Sequence, residues 1–593
     1  MARLPLHLNN PVPVRFRSFR SRVLLVVGLL VVAGLAIVWR SIDLQVLQYE
    51  TLSNLAQRQS QRVFKRQGKR GEILDRKGGR LAVSVRAESL YAHPSLVRDP
   101  GATAIALAPL LQINRDILER QLSSDNGFVW LQRKLLPSQA DKVQTLDIPG
   151  LGFTTEFRRV YPSKGLAAAL LGFTGIDSQG LEGLEYAYDS YLRGSEQLQV
   201  LEKDALGRVF AAGEADPPAG GGSVTLTLHP AIQYISEREL EKAVVASEAK
   251  VGVVIVMDSP TGELLAVSQS PGFNPNEFQQ YDKKAFFNRA VTSGYEPGST
   301  FKIFTIATGL ETGAIKSDSL FFCEDGRWEH YDSVVHDTSP HGWLVLEKVM
   351  AVSSNICAAK IGLTIPAASF RNSIHRFGFG RRLGLFNTRD GRRLAGEAEG
   401  YVLPVEKWTP VDHAAISFGH GILVSPLQLT SAVNTIATGG RRMTPRLVSE
   451  IRDATGAVVE KNRPHSEGRV ISPQTAKMVT DFMVGVVQGK ATGWRAAIPG
   501  YVVAGKTGTT EKYDLKARGY SKTRQIASFV GFVPANKPRL TILVVIEEPL
   551  QGRSGGVVAA PVFREIARRA LPLLGVWPDN GVERRKMSKL AAQ

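Results

Sequence analysis

Between Val23 and Trp39 the chain reads VLLVVGLLVVAGLAIVW, seventeen residues without a charge. A helix needs about 17–25 apolar residues to cross a bilayer, so this run is just long enough. A buried helix of a soluble domain would carry polar positions on one face, and this one carries none. A cleaved signal peptide would have an apolar region of about 7–15 residues followed by small residues. Here Trp39-Arg40-Ser41-Ile42-Asp43 follows instead, which predicts an uncleaved anchor over 23–39. Arg15, Arg17, Arg20 and Arg22 precede the run and only Arg40 follows closely. Basic residues stay on the cytoplasmic side, so 1–22 is expected to be a cytoplasmic tail and the rest to lie outside the inner membrane. No second run of spanning length occurs.

The net charge of +18 could indicate a nucleic-acid binder. Its distribution argues otherwise: residues 1–80 hold fifteen Lys and Arg against four Asp and Glu. No helix-turn-helix, zinc-finger or RNA-binding signature accompanies it, so no nucleic-acid partner is expected.

Residues 41–67 read as a helix continuing from the anchor. From Arg70-Gly71-Glu72-Ile73-Leu74-Asp75-Arg76 to about Ala215 the pattern mixes short helices and strands. Glu214–Gly222, EADPPAGGG, marks a linker and a domain boundary. Beyond it, Val251–Met257 and Glu263–Ser268 flank the turn Ser259-Pro260-Thr261-Gly262 as a hairpin. After a long helical stretch come Val502–Thr509, Ile526–Val533 and Leu540–Glu547, the last two joined by Pro534–Pro538. Five strands with a large helical insert predict an α+β domain, an antiparallel sheet between helices. The domains expected are 40–222, 223–575 and a C-terminal tail over 576–593.

Three short motifs fall in order in the second domain. In Glu296-Pro297-Gly298-Ser299-Thr300-Phe301-Lys302, a turn precedes a helix, and Ser299 and Lys302, three apart, share a helical face. A serine hydroxyl is a weak nucleophile that needs an adjacent base, and a lysine among other cations loses its proton more readily. In Ser353-Ser354-Asn355, Ser353 can relay a proton and Asn355 can donate to a substrate carbonyl. In Lys506-Thr507-Gly508-Thr509, at the end of an apolar run, Lys506 and Gly508 share one strand face and Thr507 and Thr509 the other. There Lys506 supplies charge for a substrate carboxylate and Gly508 leaves room for a substrate strand. Each motif alone is unspecific. S-x-x-K, S-x-N and K-T-G together are the signature of penicillin-binding proteins and serine β-lactamases. The backbone N–H groups of Ser299 and Thr509 would form the oxyanion hole.

The exported chain resembles the class B penicillin-binding proteins over nearly its whole length. Arg70–Arg76, Tyr161-Pro162, Gly172-Phe173 and Gly180-Leu181-Glu182-Gly183-Leu184-Glu185 resemble motifs of their non-catalytic, dimerisation-type pedestal. Ser417-Phe418-Gly419-His420-Gly421, Pro426-Leu427-Gln428 and Ala559–Phe563 resemble stretches of their transpeptidase domain. Ser163–Glu185 and Phe273–Asn276 look most like the division-specific, septal (FtsI-type) peptidoglycan D,D-transpeptidases, with the elongation type as the alternative. The resemblance implies that Ser299 attacks the D-Ala–D-Ala bond of a stem peptide on lipid-linked or nascent strands, and that an amine of a second stem peptide resolves the acyl-enzyme. It implies β-lactams as inhibitors, and divisome membrane proteins and a glycosyltransferase as partners. Ser354 stands where class A β-lactamases carry Asp, and no deacylating glutamate can be placed after Asn355, which weakens a β-lactamase or D,D-carboxypeptidase reading.

Cys323, His330, His336, Asp337, His341 and Cys357 are of zinc-binding or neighbouring types, yet their spacing fits no zinc pattern. No metal and no cofactor are expected. The two cysteines are read as unpaired, with a Cys323–Cys357 disulfide as the alternative.

Overall fold

The computed structural model describes residues 16–203, 209–211, 218–385, 396–514 and 519–578. Residues 1–15 of the expected cytoplasmic tail, 214–217 of the expected linker and 579–593 of the expected C-terminal tail lie outside the described residues. The chain divides into two units: Met1–Arg66 with Glu196–Pro217, and Gln67–Ser195 with Pro218–Gln593.

In the first unit the apolar run sits in a 27-residue helix, Phe16–Ile42, longer at both ends than the run itself. Its apolar side chains are exposed, Leu24 at 71% and Ile37 at 67%, as a helix facing lipid requires. A π-helical turn, Asp43–Leu47, and a second helix, Tyr49–Ser60, follow. The helix expected as far as residue 67 therefore stops early. Gln61–Gln67 is a strand instead, in a three-stranded sheet with Glu196–Lys203 and Val209–Ala211. Pairing with a segment some 130 residues away overrides the local helical pattern.

The second unit begins with β1 (Ile73–Leu74), β2 (Arg80–Ala92), β3 (Val129–Gln132), β4 (Leu151–Val160) and β5 (Ser223–Leu226). Arg70, 1% exposed, organises this part. Its guanidinium donates to Glu185 Oε2 (2.6 Å), Asp189 Oδ1 (2.5 Å) and the carbonyls of Ser178 and Glu185. Glu185 also accepts from Arg159 Nε (2.7 Å) and Tyr161 Oη (3.2 Å). A buried carboxylate is costly unless paired and hydrogen-bonded, and the two arginines hold Glu185 below the usual carboxylate range against the effect of burial. Three of the pedestal-like motifs thus meet on one side chain. Gly71 lies so close to Gly222 that any Cβ would strike its carbonyl oxygen.

The remaining elements are α1 (Pro230–Ala246), β6 (Val251–Asp258), β7 (Leu264–Ser270), α2 (Lys302–Glu311), α3 (Asn355–Leu363), β8 (Val448–Arg452), β9 (Val458–Lys461), α4 (Pro473–Val487), β10 (Ala504–Asp514), β11 (Gly519–Val533), β12 (Leu540–Glu547) and α5 (Ala560–Leu573). A five-stranded sheet runs β7-β6-β12-β11-β10, antiparallel throughout. β6 is buried at every position. Val254 and Val256 pack with α1 and α5, while Val253, Ile255 and Met257 face the cluster that holds α2. A strand covered on both faces needs apolar residues throughout rather than alternation. This is the α+β arrangement expected.

A second sheet runs β9-β8-β5-β1-β2-β3, with β4 also on β2. Here β5 pairs in parallel with β1 and antiparallel with β8, so hydrogen bonding is continuous across residue 222. Asn276 adds a reciprocal pair to the backbone of Tyr161, donating from Nδ2 and accepting at Oδ1, both 3.0 Å. Phe173 stacks on Phe278, with ring centroids 4.2 Å apart.

Candidate active site

Gly298–Phe301 forms a 3-10 turn that leads into α2, so Ser299 sits in the turn and Lys302 opens the helix. Gly298 has φ +53°, and a Cβ there would strike the side chain of Thr510 on β10. Glycine therefore lets the nucleophile turn lie directly against the K-T-G strand. Gly508 serves the same contact from the other side. A Cβ on it would lie 3.0 Å from Thr300 Cγ2 and 3.2 Å from the Pro297 carbonyl. Its space is filled by protein, which corrects the expectation that it leaves room for substrate.

Lys302 is fully buried, and its Nζ donates to the Ser353 carbonyl (2.5 Å), Asn355 Oδ1 (2.7 Å) and Ser353 Oγ (3.3 Å). Lys506 is also fully buried, and its Nζ donates to Ser353 Oγ at 2.8 Å. The Ser353 hydroxyl thus bridges the side-chain nitrogens of the two lysines. Burial and the neighbouring Lys506 push Lys302 well below the ordinary lysine range, and burial brings Lys506 down to about 7. These are the conditions that turn a lysine into a base near neutral pH. Ser299 itself makes no side-chain hydrogen bond among the described residues, so its hydroxyl is free to turn toward Lys302 or a ligand.

A second expected role changes with this geometry. Lys506 points into the network and not out to a substrate carboxylate, because it shares the inward face of β10 with Gly508. Thr509, on the opposite face, is exposed. Its hydroxyl accepts from Gly555 N at 3.2 Å. Asn355 Nδ2 donates to the His336 carbonyl at 2.8 Å, which leaves one of its two N–H bonds for a ligand.

Ser353 adopts φ +65°, a left-handed conformation uncommon outside glycine and typical of strained functional positions. What holds it there follows in sequence. Ser354 caps α3, its hydroxyl accepting from Cys357 N and donating to Asp337 Oδ2 at 2.5 Å. Asp337 Oδ1 accepts from Asn355 N (2.5 Å) and Ile356 N (3.1 Å), a carboxylate seated on a helix N-terminus. Sequence reading placed Asp337 only among possible zinc-binding neighbours. Its hydrogen-bonding role was invisible because the contact spans intervening chain that includes the strand Trp343–Val345 and the helix Leu346–Val352. Cys357 pairs with Cys323 in a buried disulfide, Cα atoms 5.1 Å apart, which overturns the reading of two unpaired cysteines. Both sit at 0% exposure with backbones close enough to bridge, a proximity that spacing alone does not reveal. Among the described residues no cluster of three or more His, Cys, Asp or Glu side chains is arranged for a metal ion.

Comparison with known proteins agrees with this architecture. The Penicillin binding protein transpeptidase domain matches residues 252–568, and the Penicillin-binding Protein dimerisation domain matches 65–226. The peptidoglycan D,D-transpeptidase FtsI of Escherichia coli K12 is 32% identical over 566 residues, covering 94% of this chain and 92% of that protein. Stage V sporulation protein D of Bacillus subtilis is 33% identical over 579 residues, 96% and 88% of the two chains. Penicillin-binding protein 3 of Mycobacterium tuberculosis, solved with aztreonam, superposes with a TM-score of 0.68 at 25% identity, covering 87% of this chain and 98% of that one. With two domain profiles in register and full-length relatives above 30% identity, this chain belongs to the class B penicillin-binding proteins.

Proposed function

We propose that this protein is a membrane-anchored peptidoglycan D,D-transpeptidase of the septal type, with Ser299 as its nucleophile. The observation that carries the mechanism is the buried Lys302–Ser353–Lys506 bridge beside the nucleophile turn. Neutral Lys302 takes the Ser299 proton as Oγ attacks the penultimate D-Ala carbonyl of a stem peptide. The N–H groups of Ser299 and Thr509 stabilise the developing oxyanion, a contribution of about 3–4 kcal/mol per donor where such donors have been removed. The proton passes through Ser353 to the departing D-Ala nitrogen, with Lys506 holding the Ser353 hydroxyl in place. Asn355 orients the donor amide, and the Thr507 and Thr509 hydroxyls take its terminal carboxylate. An acceptor amine then reverses the sequence. A β-lactam enters by the same attack and stays as an ester.

The division 1–22, 23–39, 40–222, 223–575 and 576–593, with the N-terminus cytoplasmic and the catalytic domain outside, is part of the proposal. So are divisome membrane proteins and a glycosyltransferase as partners. Support for the former comes from the charge asymmetry around Val23–Trp39.

The test uses the full chain in detergent with a fluorescent penicillin, beside Ser299→Ala, read by gel and intact mass. A stable adduct on the parent alone is expected. Folded parent without adduct would overturn the assignment of Ser299, and consumption of the drug without adduct would make the protein a β-lactamase.

A further inference from the structure

Next to the nucleophile turn lies a second cluster that the steps above do not use. Glu296, three residues before Ser299, accepts from Gly421 N (2.9 Å) and Tyr520 Oη (3.0 Å), both at Oε1. Its other oxygen, Oε2, is shielded from solvent and has no partner. His420, adjacent to Gly421, likewise has a shielded Nδ1 without a hydrogen bond of good geometry, its imidazole lying near the backbone of Phe418. Tyr520 spans both, its hydroxyl on Glu296 and its ring 5.8 Å from the His420 ring. Tyr513 packs edge-on against Tyr520 at 5.5 Å. Both tyrosines are exposed, at 47% and 43%. Gly298 N donates to Gly419 O at 3.1 Å, which ties the segment carrying His420 to the nucleophile turn. Burial raises Glu296 above the usual carboxylate range, and burial together with nearby Lys302 brings His420 down to about 4.

Glu296 Oε2 and His420 Nδ1 stand together beside the nucleophile turn, an arrangement that a ligand's donors can satisfy. A carboxylate oxygen, a neutral imidazole nitrogen and two tyrosine rings are the complement of an ammonium group. The catalytic network itself holds two lysines and offers a cation nothing, so a cationic reactant needs a separate seat.

We infer that Glu296, under Tyr520 and beside His420, is the subsite that receives the protonated amine of the acceptor stem peptide. The inference rests on the transpeptidase reading and names the class of its second substrate, a side-chain primary amine. The ammonium displaces the Tyr520 hydroxyl and passes one proton to the Glu296 carboxylate. The neutral amine then attacks the acyl-enzyme carbonyl. The new C–N bond forms as the C–O bond to Ser299 breaks, and the second nitrogen proton reaches the Ser299 oxygen through Lys302. Glu296 later returns its proton to water.

The full chain in detergent is given a thioester donor and either of two acceptors: the side-chain amine of Nα-acetyl-lysine amide, cationic at neutral pH, or methoxyamine, which is uncharged. Products of transfer and of hydrolysis are separated by chromatography. Glu296→Gln keeps an acceptor for Gly421 N and removes the charge. It should lower transfer to the lysine amine relative to hydrolysis by about tenfold or more, the loss expected for one partner of a charge-assisted hydrogen bond. Transfer to methoxyamine should fall much less. Tyr520→Phe, a change at an exposed site, should lower KM for the lysine amine by freeing Glu296. Equal losses with both acceptors, or an unchanged or higher KM in Tyr520→Phe, would overturn the subsite. A parent that forms no acyl-enzyme from the thioester would instead overturn the transpeptidase reading. If Glu296→Gln fails to fold, the Tyr520→Phe measurement decides.

Discussion

Asp337→Asn separates the electrostatic from the steric role of the residue that braces the S-x-N motif. The side chain keeps its shape, and Oδ1 still accepts from Asn355 N and Ile356 N. Two things are lost. The two backbone hydrogen bonds to the carboxylate become neutral ones, and the bond from Ser354 Oγ must reverse, because the new amide nitrogen donates and cannot accept. Bonds to a charged partner contribute about 1.5–3 kcal/mol and neutral ones about 1, so the variant should lose about 0.5–2 kcal/mol per bond, or about 1.5–6 kcal/mol over the three. The second loss falls on Lys302. Among the influences on that lysine, burial and Lys506 lower its pKa and Asp337 raises it. Removing the negative charge lowers it further. Acylation needs neutral Lys302, so the acidic limb of its pH profile should move to lower pH in the variant, while the plateau falls as Asn355 loosens. The assay is the second-order rate of acylation by a reporter β-lactam from pH 4 to 10, with thermal unfolding alongside. A limb that stays in place or moves to higher pH would refute the claim that Asp337 acts on Lys302, whatever the plateau does.

Replacing both Cys323 and Cys357 by Ala opens a bridge across 34 residues. Loop-closure entropy puts the cost at about 3–4 kcal/mol, read as a fall in the urea midpoint of the non-reduced protein. Glu237 accepts from Ala167 N (2.7 Å) and Gln233 Nε2 (2.8 Å), and burial lifts it to about 7. A folded-state carboxyl pKa raised above its unfolded value favours folding while the group is protonated, and that advantage disappears as pH rises toward and past about 7. Glu237→Gln should therefore gain on the parent in Tm at pH 8 relative to pH 5, and a gain larger at pH 5 would contradict the sign.

How much of this was legible in the sequence depended on how local each cause is. β6 was legible because a strand buried on both faces must be apolar at nearly every position, and Val251–Met257 is. The hairpin turns at Ser259–Gly262 and Pro534–Pro538 were legible because proline and glycine set dihedrals locally. The motifs that carry Ser299, Lys302, Ser353, Asn355 and Lys506 were legible because each is short and local, and the structure joins the last four of these residues in one hydrogen-bonded network. The strand Gln61–Gln67 was missed because its partner lies far along the chain. The disulfide, Asp337 under α3, and the hydrogen bonding of β5 to both β1 and β8 were unreadable for the same reason.

The two misassigned roles, those of Lys506 and Gly508, share a physical origin. Strand periodicity placed them correctly on one face of β10, but periodicity alone does not say which face meets solvent. The structure turns that face onto the nucleophile turn, where Gly508 allows contact with Thr300 and Pro297 and Lys506 meets Ser353. One strand register then does two jobs: it brings Lys506 to the Ser353 hydroxyl, and it sends Thr507 and Thr509 to the other face. A slip of one residue in the β10–β11 pairing, Lys506 opposite Val530 and Gly508 opposite Ser528, would exchange the faces and remove both functions together. The eight-residue pairing of β11 with β12, Ile526 opposite Glu547 through Val533 opposite Leu540, fixes β11 and hence that register. The apolar core of the sheet is in this sense what places Lys506 against Ser353.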